Sequence, residues 1–294
     1  MFEATHREKT VQKKPLILLT NDDGIESPGL HALAEAVAEL GDLLIVAPHT
    51  QQSGAGHSYP PVRDHTIHTH TLSLNGTAVT AYSAAVSPAQ AVVLAALVLA
   101  PRPVDLCLSG INFGENLGAA VTTSGTVGAA LEAVNFGIPA LAVSLETPQE
   151  YHHTRDGQEI DFSAAAGFAR QFARQVLRHG LPQGVDMLKI DIPAPATPQT
   201  PWRATRLSRQ RYYYPVRRAK TADNGGLIGY EARIDHATLE PDSDIHAVHV
   251  DRIVSVTPMT NDLTARIDPQ LVAEFLSKNG ESYPSQIPAA RSRA

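Results

Sequence analysis

Residues 16–19 form a continuous apolar run that ends directly in a polar turn, as is typical of a parallel strand buried on both faces. The apolar residues between positions 30 and 40 then recur at helical spacing, and Gly41 marks a stop before the next apolar run at residues 43–46. This succession of strand, helix and strand predicts a βαβ unit. It constrains the fold strongly, because the two strands of such a unit are parallel and its crossover is right-handed.

The alternation of strand and helix patterns continues along the next part of the chain. Asn75 and Gly76 separate two segments of alternating polarity, which predicts a two-residue hairpin turn. An Ala-rich apolar run at residues 88–99 predicts a well-buried helix. Further patterns predict strands at 104–108, 140–144 and 187–192 and helices at 124–136 and 162–177. We therefore predict an α/β fold with a Rossmann-like, mostly parallel sheet and helices on both faces.

The periodicity changes at residues 193–201, where four prolines interrupt it. We predict four regions: a disordered tail at 1–14, a Rossmann-like catalytic core at 15–200, a C-terminal arm at 201–283 and a loose tail at 284–294. The arm is expected to contain a β-hairpin, a closing strand and a final helix. Because the segment between 203 and 250 is rich in tyrosine and lacks helical periodicity, we expect a symmetric partner subunit to cover it.

Composition argues against several classes of protein. A formal net charge of −6 gives no general attraction to a phosphodiester backbone, so we expect no long nucleic acid as a partner. The sequence contains neither a long apolar run nor a secretory signal pattern, which argues against a membrane protein. Its one cysteine, Cys107, lies in an apolar run, as is typical of a core residue in a reducing compartment. We therefore expect a cytoplasmic location.

Polar loops follow three of the predicted strands, and ligands of open α/β sheets bind beyond such strand ends. The first loop contains Asn21, Asp22, Asp23 and Gly24. Adjacent carboxylates repel each other unless a cation compensates their charge, and hard oxygen ligands of this kind suit Mg²⁺ or Mn²⁺. On this loop alone, a polar turn in which Asn and Asp bond their own backbone is an equal alternative.

The other two loops offer groups that suit phosphate. Residues 51–58 are small and polar, and their glycines let the backbone approach a ligand, although a plain connection is the more common use of such a sequence. The third loop, residues 109–118, leads to Ser124 and Gly125 at the head of a predicted helix. A helix N-terminus presents unpaired N–H groups to an anion. Ser124 is equally suited to be a simple N-cap.

These motifs and their order resemble the SurE (survival protein E) family. The resemblance rests on Leu-Leu-Thr-Asn-Asp-Asp-Gly-Ile at 18–25, Val-Ala-Pro at 46–48 with Ser-Gly-Ala at 53–55, Ser-Gly-Ile-Asn at 109–112 with Asn-Leu-Gly at 116–118, Ser-Gly-Thr-Val at 124–127 and Gly-Ile-Pro-Ala at 137–140. It covers roughly residues 15–265. The resemblance implies a divalent-metal-dependent 5′-nucleotidase, often active on 3′-nucleotides and short polyphosphate as well, with a Rossmann-like core.

The resemblance also implies roles for individual residues. It implies one divalent cation per subunit, Mg²⁺ or Mn²⁺, and an arm exchanged within a homodimer or homotetramer. The implied metal ligands are Asp22, Asp23, Ser53 and Asn112, of which the two aspartates are also the catalytic residues. The implied phosphate-binding residues are Asn21, Asn116, Ser124, Gly125 and Thr126.

The chain departs from the family pattern in two places. Residues 86–91 replace a Gly-Thr-Pro stretch that is followed by Asp-Cys, and Lys189 and Asp191 stand where the family favours two asparagines before a proline. Neither departure falls on an implied metal ligand. Both bear on the nucleotide pocket and on the packing beneath it.

Two other functions remain open from the residues. A phosphatase with an aspartate nucleophile would carry Asp-x-Asp after the first strand, whereas here the two acids are adjacent and follow Asn21. A nucleotide-binding regulatory protein without turnover is the second alternative, and the altered segment 86–91 motivates it. Metal-dependent release of phosphate from an aryl phosphate would indicate an enzyme. A folded protein that releases none with metal present would indicate the regulatory protein.

Overall fold

The computed structural model of the protein describes residues 13–64, 66–151, 160–217 and 228–277. The predicted tail at 284–294 and most of the one at 1–14 lie outside these ranges. The strands are β1 Leu16–Thr20, β2 Asp42–Pro48, β3 His68–Leu74, β4 Thr77–Ala84, β5 Leu106–Phe113, β6 Ala140–Leu145, β7 Met187–Ile192, β8 Trp202–Ala204, β9 Tyr213–Arg217, β10 Ile228–Ala232 and β11 Val254–Met259. The α-helices are α1 Pro28–Val37, α2 Pro88–Leu94, α3 Gly125–Asn135, α4 Ser163–His179 and α5 Pro269–Ser277.

Nine of the strands form one sheet in the order β3-β4-β2-β1-β5-β6-β7-β11-β8. Neighbouring strands from β4 to β7 are parallel, whereas β3 and β11 run antiparallel to β4 and β7. The predicted α/β fold with a mostly parallel sheet is therefore confirmed. None of the helices in the described part of the chain has the length and apolar character needed to cross a bilayer.

The side chains of β1 show how the sheet separates two apolar layers. Ile17 and Leu19 pack in the layer that contains α1 and α4, and Leu16 and Leu18 pack in the layer of α2 and α3. Successive strand residues point to opposite faces, so a strand with helices on both sides must be apolar at every position. This explains the continuous apolar run of β1 and confirms the predicted helices on both faces.

Two local predictions between β3 and β5 have different outcomes. The hairpin turn is confirmed, because Asn75 and Gly76 join β3 to β4 with φ angles of 48° and 79°. The well-buried helix at 88–99 is correct only in its first part. Regular α-helix ends at Leu94, a π-helical turn follows, and Leu97 and Val98 are 68% and 64% exposed. An apolar composition does not show which side of a helix faces the sheet.

The C-terminal part of the chain contributes both to the main sheet and to a separate hairpin. Strand β11 inserts between β7 and β8, and the compact unit that contains the sheet extends to Asn261. Strands β9 and β10 pair antiparallel in their own two-stranded sheet, which is the predicted hairpin. Helix α5 belongs to a second compact unit that begins at Asp262.

The start of the arm is covered by its own chain. Tyr212 is 2% exposed and packs in a small apolar cluster with Leu117, Ile245 and Val248. Its hydroxyl donates a hydrogen bond to Glu115 Oε1 over 2.6 Å. For Tyr212, the expectation that a partner subunit must cover the aromatic run is therefore wrong, because the chain folds the start of the arm back onto residues 115–118.

Candidate active site

The strand order reverses at β1, which has β2 on one side and β5 on the other. Ligands of doubly wound sheets bind at this kind of switch point, beyond the carboxyl ends of the strands. Short backbone hydrogen bonds bring the three predicted loops together here. The N–H of Gln52 donates to the carbonyl of Asp22 over 2.7 Å, and the N–H of Gly56 donates to the carbonyl of Thr123 over 3.0 Å.

Asn21 shapes the turn after β1. Its side-chain amide donates to the carbonyl of Gly24 over 3.0 Å, and its Oδ1 accepts from the N–H of Gly24 over 3.1 Å. Gly24 has a φ of 95°, a backbone conformation that glycine adopts without steric cost. Asn21 is fully buried, with both amide groups engaged in the turn. The structure thus gives Asn21 a supporting contact, and its predicted contact with phosphate stays a prediction.

Asp22 lies against the start of α3. Thr126 Oγ1 donates to Asp22 Oδ1 over 2.5 Å, and the backbone N–H groups of Gly125 and Thr126 also contribute hydrogen bonds. Burial raises the pKa of Asp22 above its ordinary value, while these donors act in the opposite direction. A Cβ atom at Gly125 would lie 2.7 Å from Asp22 Cβ, so this close approach requires glycine.

Asp23 is held from two other directions. Its carboxyl oxygens accept from Gln51 Nε2 over 3.1 Å and from the N–H of Phe113 over 3.3 Å. Burial and the charge of Asp22 raise the pKa of Asp23 well above its ordinary value. Within the described ranges of the chain, neither aspartate forms an ion pair with a lysine or arginine. Their mutual repulsion is therefore not compensated by any described cationic side chain.

Asn112 lies in a strand rather than in a loop. We predicted that strand to end at residue 108, but β5 continues to Phe113, and its pairing with β6 shifts register between Ser109 and Asn112. The strand extends because β6 offers partners as far as Leu145. Asn112 Nδ2 donates to the carbonyl of Gly114 over 2.7 Å, which leaves the amide oxygen for a ligand.

Ser124 and Asn116 supply polar groups from the neighbouring segments. Ser124 is the N-cap of α3, and its Oγ accepts from the N–H of Val127 over 3.1 Å. A serine hydroxyl that accepts in this way still has its own proton to donate. Asn116 is half-buried, and its side-chain amide donates to Ser144 Oγ over 2.8 Å.

A cavity of about 390 Å³ connects these groups. Of the predicted site residues, Asp22, Ser53, Asn112, Asn116 and Ser124 line it. Four predicted site residues are not among the lining residues: Asn21, Asp23, Gly125 and Thr126. Their contacts, given above, support the groups that line the cavity. The lining residues that were not assigned to the site from the sequence include Glu115, Arg211, Tyr213, Pro215 and Tyr230.

The hairpin residues in this wall could not be assigned from local patterns. The run Tyr212–214 was visible in the sequence, but a strand or subunit contact is the more common use of such aromatics. What brings the hairpin to the cavity is a contact between distant segments. Gly118 forms an isolated β-bridge with Arg211, and the N–H of Ala119 donates to the carbonyl of Gln210 over 2.9 Å.

The residues present fit a hard divalent cation. The donor set combines two carboxylates, the amide of Asn112 and the hydroxyl of Ser53, and oxygen donors of this type suit Mg²⁺ or Mn²⁺ with waters in the remaining positions. Two further hydroxyls, of Thr20 at the end of β1 and of its register partner Ser109 in the middle of β5, are buried without a hydrogen-bond partner among the described residues. No described group of three or more His, Cys, Asp or Glu side chains has the arrangement of a metal site.

Comparison with known proteins agrees with this geometry. Residues 17–214 match the sequence profile of the family described as Survival protein SurE. A protein of Methanocella arvoryzae named 5′-nucleotidase SurE is 44% identical over 85% of this chain and 93% of its own length. One of the same name from Thermococcus gammatolerans is 41% identical over 86% of this chain and 92% of its own length.

A solved structure resembles most of this chain in its fold. The crystal structure of the SurE protein from Aquifex aeolicus is 31% identical in sequence and has a TM-score of 0.66, and the match covers 85% of this chain and 95% of that protein. The family match over residues 17–214 includes the motifs from β1 to α3. The chain therefore belongs to the SurE family.

Proposed function

We propose that the protein is a 5′-nucleotidase, a metal-dependent phosphatase that hydrolyses nucleoside 5′-monophosphates to nucleoside and phosphate. The observation that carries this proposal is the pair of buried Asp22 and half-buried Asp23 at the switch point, which has no cationic partner among the described residues and lies next to the N-terminus of α3. Relatives named 5′-nucleotidase SurE over most of the chain support the reaction type.

The phosphate group would bind at the start of α3. The dipole of a helix favours an anion near its N-terminus, and the hydroxyl proton of Ser124 adds a donor. Asn116, in the segment that follows β5, lines the same cavity. Donors fixed in this way stabilise the charge that develops on the phosphoryl oxygens during transfer, without reorganisation at the moment of reaction.

The carboxylates have two tasks in this proposal. Asp22, Asp23, Ser53 and Asn112 would hold one divalent cation, Mg²⁺ or Mn²⁺, which when bound supplies Lewis-acid stabilisation of negative charge on oxygen. Because Asp22 lines the cavity, we assign it the role of taking a proton from the attacking water. Asp23 is held by Gln51 and Phe113 and supports the position of the pair.

The hairpin side of the cavity suits a nucleoside. Tyr213 and Tyr230 line it, with their ring centroids 5.3 Å apart in an edge arrangement. Such rings provide flat apolar surface for a base, and stacking of this kind tolerates different bases. We extend the proposal to 3′-nucleotides and short polyphosphate, because phosphate binding at α3 does not depend on which hydroxyl carries the phosphate.

Assembly and location are part of the same proposal. We infer a homodimer or homotetramer that involves the arm, supported by a hairpin that forms its own two-stranded sheet outside the main one. A cytoplasmic location agrees with Cys107 as a buried free thiol. Light scattering across micromolar dilution tests the assembly, and a stable, active species of 31.5 kDa would contradict it.

A substrate and metal panel tests the activity. The full chain is stripped of metal with a chelator and assayed for phosphate release from AMP, GMP, 3′-AMP, tripolyphosphate and an aryl phosphate, with Mg²⁺ or Mn²⁺ restored. We expect release from the 5′-monophosphates only when metal is present. Binding of a nucleotide without release from any substrate, in a folded protein with metal, would instead indicate the regulatory protein considered above.

A further inference from the structure

The short segment that carries Asn116 is held from behind by two carboxylates. The N–H of Asn116 donates to Asp191 Oδ1 over 2.7 Å, and the N–H of Gly118 donates to Asp244 Oδ2 over 3.0 Å. Asp191 lies on β7, whereas Asp244 precedes β11. Both ends of the segment therefore depend on groups that are far away in sequence.

Lys189 joins these carboxylates. Its ammonium group pairs with Asp191 Oδ2 and lies 3.1 Å from Asp244 Oδ2, and all three side chains are fully buried. Burial opposes the charge of Lys189, but the charges of Asp191 and Asp244 outweigh this effect and raise its pKa, so the lysine stays protonated. Without Lys189, the two buried carboxylates would still accept hydrogen bonds from the two backbone donors. Their negative charges, however, would have no cation to compensate them.

The same network reaches the cavity across the sheet. Ser144 on β6 pairs in register with Asn112 on β5 and with Asp191 on β7. Its hydroxyl accepts the hydrogen bond from the side chain of Asn116. The backbone and the side chain of Asn116 are thus both fixed by groups in one row of the sheet, which runs from Asp191 through Ser144 to Asn112.

We propose that Lys189 is a positioning residue for phosphate binding, acting through Asp191 and Asp244 to fix residues 116–118 and so to place Asn116 in the cavity. This inference rests on the proposed function, in which Asn116 contacts phosphate. A buried ion pair is seldom more stabilising than a well-packed apolar pair of similar volume. What the apolar pair lacks is an acceptor for the N–H of Asn116. Stability and phosphate binding should therefore respond differently to replacement of the pair.

The deciding variant replaces the pair as a unit, Lys189→Met with Asp191→Leu. We expect it to fold, with its phosphate dissociation constant raised at least tenfold and with a higher KM for AMP. Inorganic phosphate is titrated by calorimetry with saturating Mn²⁺, and the dissociation constant of Mn²⁺ alone should stay within twofold because Asp22, Asp23, Ser53 and Asn112 are intact. The matched control is Met187→Ala on the same strand, where a fully buried side chain is removed. It should lower the thermal midpoint and leave phosphate binding within twofold.

A second variant decides if the double replacement does not fold. Asp191→Asn keeps the size of the side chain but has one acceptor oxygen instead of two, so it can satisfy either Asn116 N–H or Lys189. We expect its phosphate dissociation constant to rise at least threefold. If wild type binds phosphate and the folded variants bind it within twofold of wild type, the network only stabilises the fold and the inference is wrong. If wild type itself neither binds nor releases phosphate with metal present, the proposed function fails instead.

Discussion

Two pairs of aspartates lie close to the cavity, and their charges are balanced in different ways. Asp191 and Asp244 share the ammonium group of Lys189, so a cation within the protein pairs with both carboxylates. Asp22 and Asp23 receive hydrogen bonds only from neutral groups such as Thr126 and Gln51 among the described residues. Buried charge is costly unless it is paired. The comparison shows why the first pair supports the structure and the second is suited to bind a cation from solution.

The largest expected effect is loss of turnover on neutralising the uncompensated pair. Asp22→Asn or Asp23→Asn should lower metal-dependent turnover roughly thousandfold, about 4 kcal/mol in activation free energy, because an amide binds a hard dication far more weakly than a carboxylate. The metal-free protein should unfold at the same temperature as wild type or higher, since a repulsion is relieved. Steady-state rates at saturating Mn²⁺ and a thermal melt with chelator check both parts. Wild-type rates in both variants would contradict the metal assignment.

The compensated pair should respond in the opposite sense. Lys189→Met alone leaves Asp191 and Asp244 buried without a cation, so the free energy of unfolding should fall by about 3 to 5 kcal/mol. Urea denaturation measures this loss. The double variant Lys189→Met with Asp191→Leu is the control, and it should recover part of the stability because only Asp244 is then left buried without a cation. A single variant as stable as wild type would show that Lys189 does not compensate the aspartates.

Glu115 is a further buried acid, and it extends the comparison because it makes the free energy of unfolding depend on pH. Burial raises the pKa of Glu115 to about 7 from an ordinary value of 4.5, despite the hydrogen bond from Tyr212. The folded protein therefore holds this proton more tightly than the unfolded chain. Its stabilising contribution is complete below pH 4.5 and is lost as the pH rises towards 7, in total about 3 kcal/mol.

Glu115→Gln removes this titration while keeping an acceptor for Tyr212. Relative to wild type, the variant should gain unfolding free energy steadily between pH 4.5 and 7, and the two curves should run parallel below pH 4.5. Denaturant unfolding at a series of pH values measures the difference. Parallel curves over the whole range would show that Glu115 titrates normally in the folded state.

The smallest expected effect concerns Ser124. Ser124→Ala removes the hydrogen bond to Val127 N–H and should cost about 1 kcal/mol of stability. It should also weaken inhibition by inorganic phosphate, because a donor next to the helix start is lost. Ser124→Thr keeps the hydroxyl and serves as the control. Unchanged phosphate inhibition together with lower stability would show that Ser124 is an N-cap without a role in binding.

The parts of the fold that were predictable are those that local periodicity determines. The apolar run of β1, the helical spacing of α1 and the Asn75-Gly76 turn each depend on neighbouring residues only. The rule that ligands bind at strand ends then selected one edge of the sheet without further information. That edge holds Asp22 and Asn112, although Asn112 lies in a strand that was expected to be shorter.

The parts that were not predictable depend on pairing between distant residues. Nothing near Lys189 indicates that Asp244 completes its ion network, since the contact forms only when β11 inserts beside β7. The hairpin wall of the cavity likewise depends on the bridge between Gly118 and Arg211. The exposure of Leu97 and Val98 is set by the direction of a helix end relative to the sheet, which composition does not encode.

The position of β11 in the sequence also determines when the sheet can be completed during synthesis of the chain. Strand β8 leaves the ribosome before β11, the strand with which it pairs in the sheet, and Asp244 also emerges after the segment it holds. A nascent chain that already exposes Asp22, Asn112 and Ser124 thus still lacks the last strands of its sheet and the anchor of residues 116–118. Domains generally fold as units during synthesis. Binding competence should consequently arrive late in translation, and products released before residue 244 should remain inactive.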